Sequence, residues 1–153
     1  MPEKIKLGIL GGGGDSLIGV LHRVAAHMYD SYEITGAVFN PDHAQSLEFA
    51  RELGISTDRI YPDFDTLIAE ETKLPESERI QVCSIQTPNF LHYPMAKKLL
   101  ENGFHVICEK PMTTTYEEAK TLRDLHEKSG KVFAVTHTYT GYPMVRQMRE
   151  MIK

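Results

Sequence analysis

The chain has 153 residues, 41% of them hydrophobic, with 17 basic and 21 acidic side chains and a formal charge of −4. That length is one domain's worth and enough to bury a core, while the mild acidity excludes a nucleic-acid surface, which needs clustered Lys and Arg. No run approaches the roughly 18 apolar residues of a membrane span, and the opening MPEKIK has no apolar signal core behind it, so a cytoplasmic protein is expected.

In chain order, short apolar runs alternate with amphipathic segments. The first run, Ile5–Leu10, reads as a strand, and Ser16–Met28 behind it as a helix. A strand at Glu33–Phe39, a helix at Ala44–Leu53 and a minor strand at Arg59–Tyr61 follow. A helix over Phe64–Glu71 runs into a polar loop, Glu70–Arg79, and then a buried-type strand, Ile80–Gln86. Helix Tyr93–Asn102, strand His105–Glu109, helix Tyr116–Ser129 and strand Val132–Thr136 complete the alternation. Gly54, Gly103 and Gly130 sit where left-handed helix ends belong, and Thr115 to Glu118 has the spacing of a capping box. The last segment, Tyr142–Lys153, is also helical by spacing, with Val145, Met148 and Ile152 forming an apolar stripe. Strands apolar on both faces and separated by helices imply an α/β fold: a doubly wound, mostly parallel sheet with helices on both faces, as a single domain. Residues 1–140 would form that domain, and 141–153 a terminal helix leading towards a further domain.

Cys83 and Cys108 lie inside apolar runs and are expected as buried, reduced thiols. No Cys or His pair has a zinc spacing, so no metal site is expected.

The glycines between the first strand and helix, Gly11 to Gly14, carry the chemistry. A turn without side chains lets the backbone approach a ligand closely, and the helix behind it offers unpaired N–H groups and a positive dipole end. Such a turn suits a pyrophosphate. Gly11 and Gly13 fill the first two places of G-x-G-x-x-G, and Ser16 stands at the third, where it could permit close helix packing, cap the helix or bond a phosphate; Asp15 is a second candidate cap. By itself the motif admits NAD, NADP or FAD, and S-adenosylmethionine binds similar turns. An acid closing the second strand would bond the adenosine ribose, but Asn40 stands there, with Asp42 and His43 beyond it, and NAD against NADP stays open.

Pro88 and Pro111 end two later strands, which places Thr87 and Asn89, then Glu109 and Lys110, at strand carboxyl ends over the expected cofactor. Pro111 is a candidate cis proline. His22 is expected as a packing or surface residue, and His92 as a helix-start residue that satisfies local backbone. His137, Tyr139 and Tyr142 follow the last strand towards the substrate side of the cleft.

The glycine turn with IGVLHR, then TPNFLH and CEKPM, in this order and spacing, resembles the nucleotide-binding domain of the Gfo/Idh/MocA oxidoreductases. The resemblance covers essentially the whole chain; the Gly14–Asp15 pair and the missing acid at Asn40 depart from it. It implies NAD or NADP as cofactor and hydride transfer to or from a sugar- or cyclitol-like substrate in a homo-oligomer. Gly11, Gly13 and Ser16 would lie by the pyrophosphate, Asn40 by the adenosine ribose, and Thr87 and Asn89 along the cofactor. Lys110 would polarise or help deprotonate the substrate hydroxyl, with Glu109 holding nearby donors. The resemblance also implies a second, substrate-binding domain, without which the isolated chain is expected to bind cofactor but not turn over. Two other classes, a non-enzymatic NAD(P)-sensing regulatory module and a methyltransferase domain, predict the same turn; the second has no use for CEKPM.

Overall fold

Five strands form one parallel sheet in the order β2-β1-β3-β4-β5, as seen in a computed structural model that describes residues 3–153. They are β1 (Ile5–Gly11), β2 (Tyr32–Val38), β3 (Val82–Gln86), β4 (His105–Cys108) and β5 (Phe133–Val135). The expected minor strand is reduced to a single parallel bridge between Ala37 and Ile60. Six α-helices connect or follow the strands: α1 (Leu17–His27), α2 (His43–Glu52), α3 (Phe64–Glu71), α4 (His92–Glu101), α5 (Tyr116–Ser129) and α6 (Pro143–Ile152).

The helices end where local chemistry says they should. Asp42, Asp63 and Thr115 cap α2, α3 and α5 through their side-chain oxygens, and the Thr115–Glu118 capping box is complete. Gly54, Gly103 and Gly130 all have positive φ, between 66° and 79°.

The core is split by the sheet. Leu10, Cys83, Ile85, Val106 and Cys108 point to one face, where α3, α4 and α5 cover them with Leu67, Ile68, Ala96, Leu99 and Leu122. Leu7, Ile9, Ala37 and Val82 point to the other, against Ala26 of α1 and Ala50 of α2. That second face is only half roofed. Beyond β1 it carries Ser84, Gln86, Ile107, Glu109 and Thr136, which with α1 line an open cleft of about 540 Å³. Val132, just before β5, is 61% exposed and Leu17, Leu21 and Val24 of α1 stand in solvent; helices lie on both faces of the sheet as expected, with this cleft left open between α1 and the ends of β3 and β4.

Both cysteines are free and buried, and burial pushes the Cys108 thiol up to about 12, so neither is a nucleophile.

The polar stretch after α3 is anchored by Glu71, which is fully buried. Its carboxylate accepts from Arg59 Nε (2.9 Å), the Tyr61 hydroxyl (2.6 Å) and the Ile80 amide (2.8 Å), tying α3 to the start of β3. Burial, and then the Glu71 carboxylate, push the Tyr61 phenol up to about 12. Removing the buried carboxylate leaves the Tyr61 hydroxyl, the Ile80 amide and the partly exposed Arg59 guanidinium without their acceptor. Glu71→Ala should therefore cost about 3–5 kcal/mol in urea denaturation; a loss below about 1 kcal/mol would mean that water replaces the carboxylate.

Candidate functional site

All five strands end at one edge of the sheet, and the order in which successive strands are added reverses between β1 and β3. In a doubly wound sheet the ligand crevice opens at such a switch point. The turns that reach this edge are Gly11–Ser16 after β1, Asn40–Asp42 after β2, Thr87–Asn89 after β3, Glu109–Pro111 after β4 and His137–Tyr142 after β5.

The first turn is shaped by contacts that leave no room for side chains. A Cβ on Gly12 would lie 2.0 Å from Gln86 Oε1, and one on Gly19 would lie 1.9 Å from the Gly12 carbonyl oxygen. Gly11, Gly12 and Gly14 have positive φ. Ser16, offered above for several roles, is the N-cap of α1: its Oγ accepts from the Gly19 amide at 3.1 Å. Asp15 is not the cap. The close helix–strand approach falls at Gly19, one turn inside α1, and not at Ser16. Sequence carried a signal for it, because an interior helix glycine costs about 1 kcal/mol against Ala and so asks for a packing reason.

Arg23, buried on the next turn of α1, donates to the Gly12 carbonyl at 2.6 Å and lies over the Phe49 ring, 5.0 Å from its centroid. That bond ties the Gly12 carbonyl to α1, and the amides that follow it are largely unpaired. Those of Gly13, Gly14 and Asp15, and of Leu17 and Ile18 in the first turn of α1, find no acceptor among the described residues. One buried acceptor is also orphaned: Gln86 Nε2 donates to Ser84 Oγ at 2.9 Å, but its Oε1, set against Gly12, has no partner. A row of free amides, a cradle that a Cβ would fill and an orphaned buried oxygen are what a pyrophosphate-bearing ligand with hydroxyls requires.

Deeper in the cleft the polar groups form one chain. Ser84 Oγ lies 3.0 Å from His22 Nδ1, and His22 Nε2 lies 2.9 Å from Glu109 Oε1. The Thr136 hydroxyl donates to the same carboxylate, and the Lys110 amide to its other oxygen at 3.2 Å. His22, expected merely to pack or face solvent, is thus the link between α1, β3 and the end of β4. Its partners lie 62 and 87 residues away, beyond the reach of helical periodicity.

His92 starts α4 as expected, but it satisfies more than local backbone. Its Nε2 meets Thr87 O at 2.8 Å and its Nδ1 meets Pro111 O at 2.7 Å, so one buried ring fixes the turns after β3 and β4. The Lys110–Pro111 bond is cis. Lys110 is exposed and lines the cleft together with Tyr139 and Tyr142, whereas His137 is exposed outside it. Asn89 opens a short 3-10 turn after β3, outside the lining of this cleft, and Thr87 is half-buried, its methyl against Gly11.

With this geometry in hand, comparison with known proteins is decisive. Residues 5–137 match the family described as an oxidoreductase family with an NAD-binding Rossmann fold. The chain belongs to the Gfo/Idh/MocA oxidoreductases. It is 39% identical over 152 residues to the uncharacterized oxidoreductase YfiI of Bacillus subtilis, covering 99% of this chain and 38% of that protein. It superposes with a TM-score of 0.93, at 38% identity, on an inositol dehydrogenase homologue of Azotobacter vinelandii crystallised with NADH and myo-inositol, over 99% of this chain and 40% of the other. The D-xylose 1-dehydrogenase (NADP(+)) 2 of Haloferax volcanii is 28% identical over 145 residues, 95% of this chain and 41% of that protein. The chain thus spans about two fifths of the length of these relatives. It is an NAD(P)-binding oxidoreductase domain related to sugar and inositol dehydrogenases, and none of its described helices is long and apolar enough to cross a membrane.

Burial alone would raise the Glu109 carboxyl, but the hydrogen bonds from His22, Thr136 and the Lys110 amide outweigh it and hold the group below its ordinary 4.5. A depressed folded value contributes stability that is present above the unfolded value and lost as pH falls through the folded one. Thr136→Val removes one of these donors. It should lower stability at neutral pH, with the deficit shrinking as the pH falls well below 4.5, in urea denaturation followed across that range. A deficit independent of pH would show that Thr136 acts by packing alone.

Proposed function

We propose that this chain binds NAD or NADP across the carboxyl edge of its sheet and presents Lys110 to the hydroxyl or carbonyl of a sugar- or cyclitol-like substrate. The observation that carries the reading is the Gly12–Gly19 contact, which brings the N-terminus of α1 against a turn whose amides are unpaired. Gly11, Gly13 and Ser16 would lie along the pyrophosphate, and Asn40 beside the adenosine ribose. Thr87, Asn89 and Glu109 would line the path towards the nicotinamide. Bound there, the carrier would supply the hydride acceptor or donor. The chain's own residues orient it and move a proton. Lys110, at the lip of the cleft, would donate a hydrogen bond to the substrate oxygen, with its main chain held by the Glu109 carboxylate and the His92 ring.

Hydride transfer also needs the reacting carbon held against the ring with water excluded. The cleft here is open along Tyr139 and Tyr142. Polypeptide following residues 141–153, as in the longer relatives, would complete it, and residues 1–153 alone are expected to bind without turnover.

Titration of the chain with NADH, followed by nicotinamide fluorescence, should saturate. Gly19→Ala, which drives a methyl into the Gly12 carbonyl, should abolish binding while circular dichroism still shows the helices. No saturable signal with the unsubstituted chain would refute the reading. In a protein carrying this domain at the relatives' full length, Lys110→Met should leave NADH binding unchanged and slow substrate oxidation by about 10²–10⁴-fold.

We also propose self-association through α6, which buries none of its residues and exposes Met144, Met148, Met151 and Ile152. Sedimentation should show a dimer or larger species that Met148→Lys with Ile152→Lys returns to monomer; a monomeric parent chain would contradict this.

A further inference from the structure

NAD and NADP differ by one phosphate, on the 2′ oxygen of the adenosine ribose, and family membership does not choose between them. One relative described above takes NADP(+) by name and another was crystallised with NADH. The residues that follow β2 are where the two carriers would be told apart.

Asn40 and Asp42 are locked together there. Asn40 Oδ1 accepts from the Asp42 amide at 2.8 Å, and Asn40 Nδ2 donates to Gln45 Oε1 at 3.1 Å. Asp42 then caps α2: its carboxylate accepts from the amides of Ala44 (2.9 Å) and Gln45 (3.4 Å) and from Gln45 Nε2 (3.1 Å). Pro41 has no N–H to offer. The Ala44 and Gln45 amides at the start of α2 are therefore already held by a carboxylate, whose charge repels a second anion there.

The space beside them is no better for a phosphate. A cavity of about 180 Å³ lies between the glycine turn and α2, walled by Gly13, Gly14, Asn40, Gln45, Glu48 and Glu52 among others. It has carboxylates and no Lys or Arg. Two cationic or basic side chains nearby are committed elsewhere. His43 Nε2 faces the Ile60 carbonyl at 3.0 Å, and the Arg23 guanidinium is buried on the Gly12 carbonyl over the Phe49 ring. A ribose diol fits the same wall well. Asn40 and Gln45 keep spare amide hydrogens and lone pairs, and Glu48 offers an acceptor for a hydroxyl.

We propose that this chain selects NAD over NADP, and that Asp42 and Glu48 are the discriminating residues. The inference rests on the reading that a dinucleotide binds at the glycine turn. Its test is parallel titration of the 153-residue chain with NADH and with NADPH, by calorimetry and nicotinamide fluorescence, at low and high salt. NADH should bind at least about tenfold tighter, and the gap should narrow with salt as the carboxylates are screened. Glu48→Lys, at an exposed position, should shift the NADPH-to-NADH affinity ratio by about tenfold or more towards NADPH, by gaining a cation for the phosphate and losing an acceptor for the ribose hydroxyl; Asp42→Ser, which keeps a helix cap but loses the charge, should act in the same direction.

NADPH binding as tightly as NADH in the unsubstituted chain would overturn the inference while leaving dinucleotide binding intact. A preference for NADH that neither substitution relaxes would overturn the assignment to Asp42 and Glu48. Binding of neither carrier would overturn the dinucleotide reading itself, and the inference with it.

Discussion

Helix α1 can touch the end of the first strand only because the two residues at the contact, Gly12 and Gly19, have no side chains. Everything at the crevice depends on that approach. It sets the Gly12 carbonyl against α1, where Arg23 holds it, beside the unpaired amides that follow. It brings the N-terminus of α1, with its positive dipole end, to the switch point of the sheet. It also lowers His22 into the cleft, within reach of β3 and the end of β4. A methyl group at either glycine would separate the helix from the turn and break these links together.

The same contact explains why polar groups are tolerated on a sheet face that is otherwise core. Ser84, Gln86, Glu109 and Thr136 all project to the side that α1 covers, and His22 bonds them into a continuous series. A buried carboxylate without donors would be costly; Glu109 has three groups donating to it and stays charged. Glu109 in turn holds the main chain of Lys110, while His92 fixes the carbonyl of Pro111 from the opposite side. The glycine turn, where a cofactor would be gripped, and the lysine turn, where substrate chemistry would occur, are thus parts of one hydrogen-bonded assembly.

Much of this was legible in the sequence because the signals are local. Apolar runs gave the strands, capping residues gave the helix starts, and glycines at positive φ gave the helix ends at Gly54, Gly103 and Gly130. The parallel sheet followed from alternation, its strand order did not, and the residues of the glycine, TPN and EKP turns fell at strand ends as their prolines and spacing required. What was hidden depends on distant partners. Ser16 and Gly19 lie three residues apart, and only the packed structure shows which one meets the strand. The roles of His22, Arg23 and Gln86 depend on neighbours that sequence spacing does not place beside them. The half-roofed sheet was hidden for a different reason: Val132 and Phe133 are as apolar as buried strand residues, and periodicity reads composition without knowing what covers it.

The central claim is that the free amides of Gly13, Gly14, Asp15, Leu17 and Ile18, beside the Gly12–Gly19 contact, are the chain's grip on a nicotinamide dinucleotide. Amide NMR spectra recorded during titration with NADH test it most directly. The account predicts that the largest saturable shifts belong to the amides of Gly13, Gly14, Asp15, Leu17 and Ile18, with smaller ones at Asn40 and Thr87. Saturable shifts confined to another surface, with the glycine-turn amides unmoved, would contradict it.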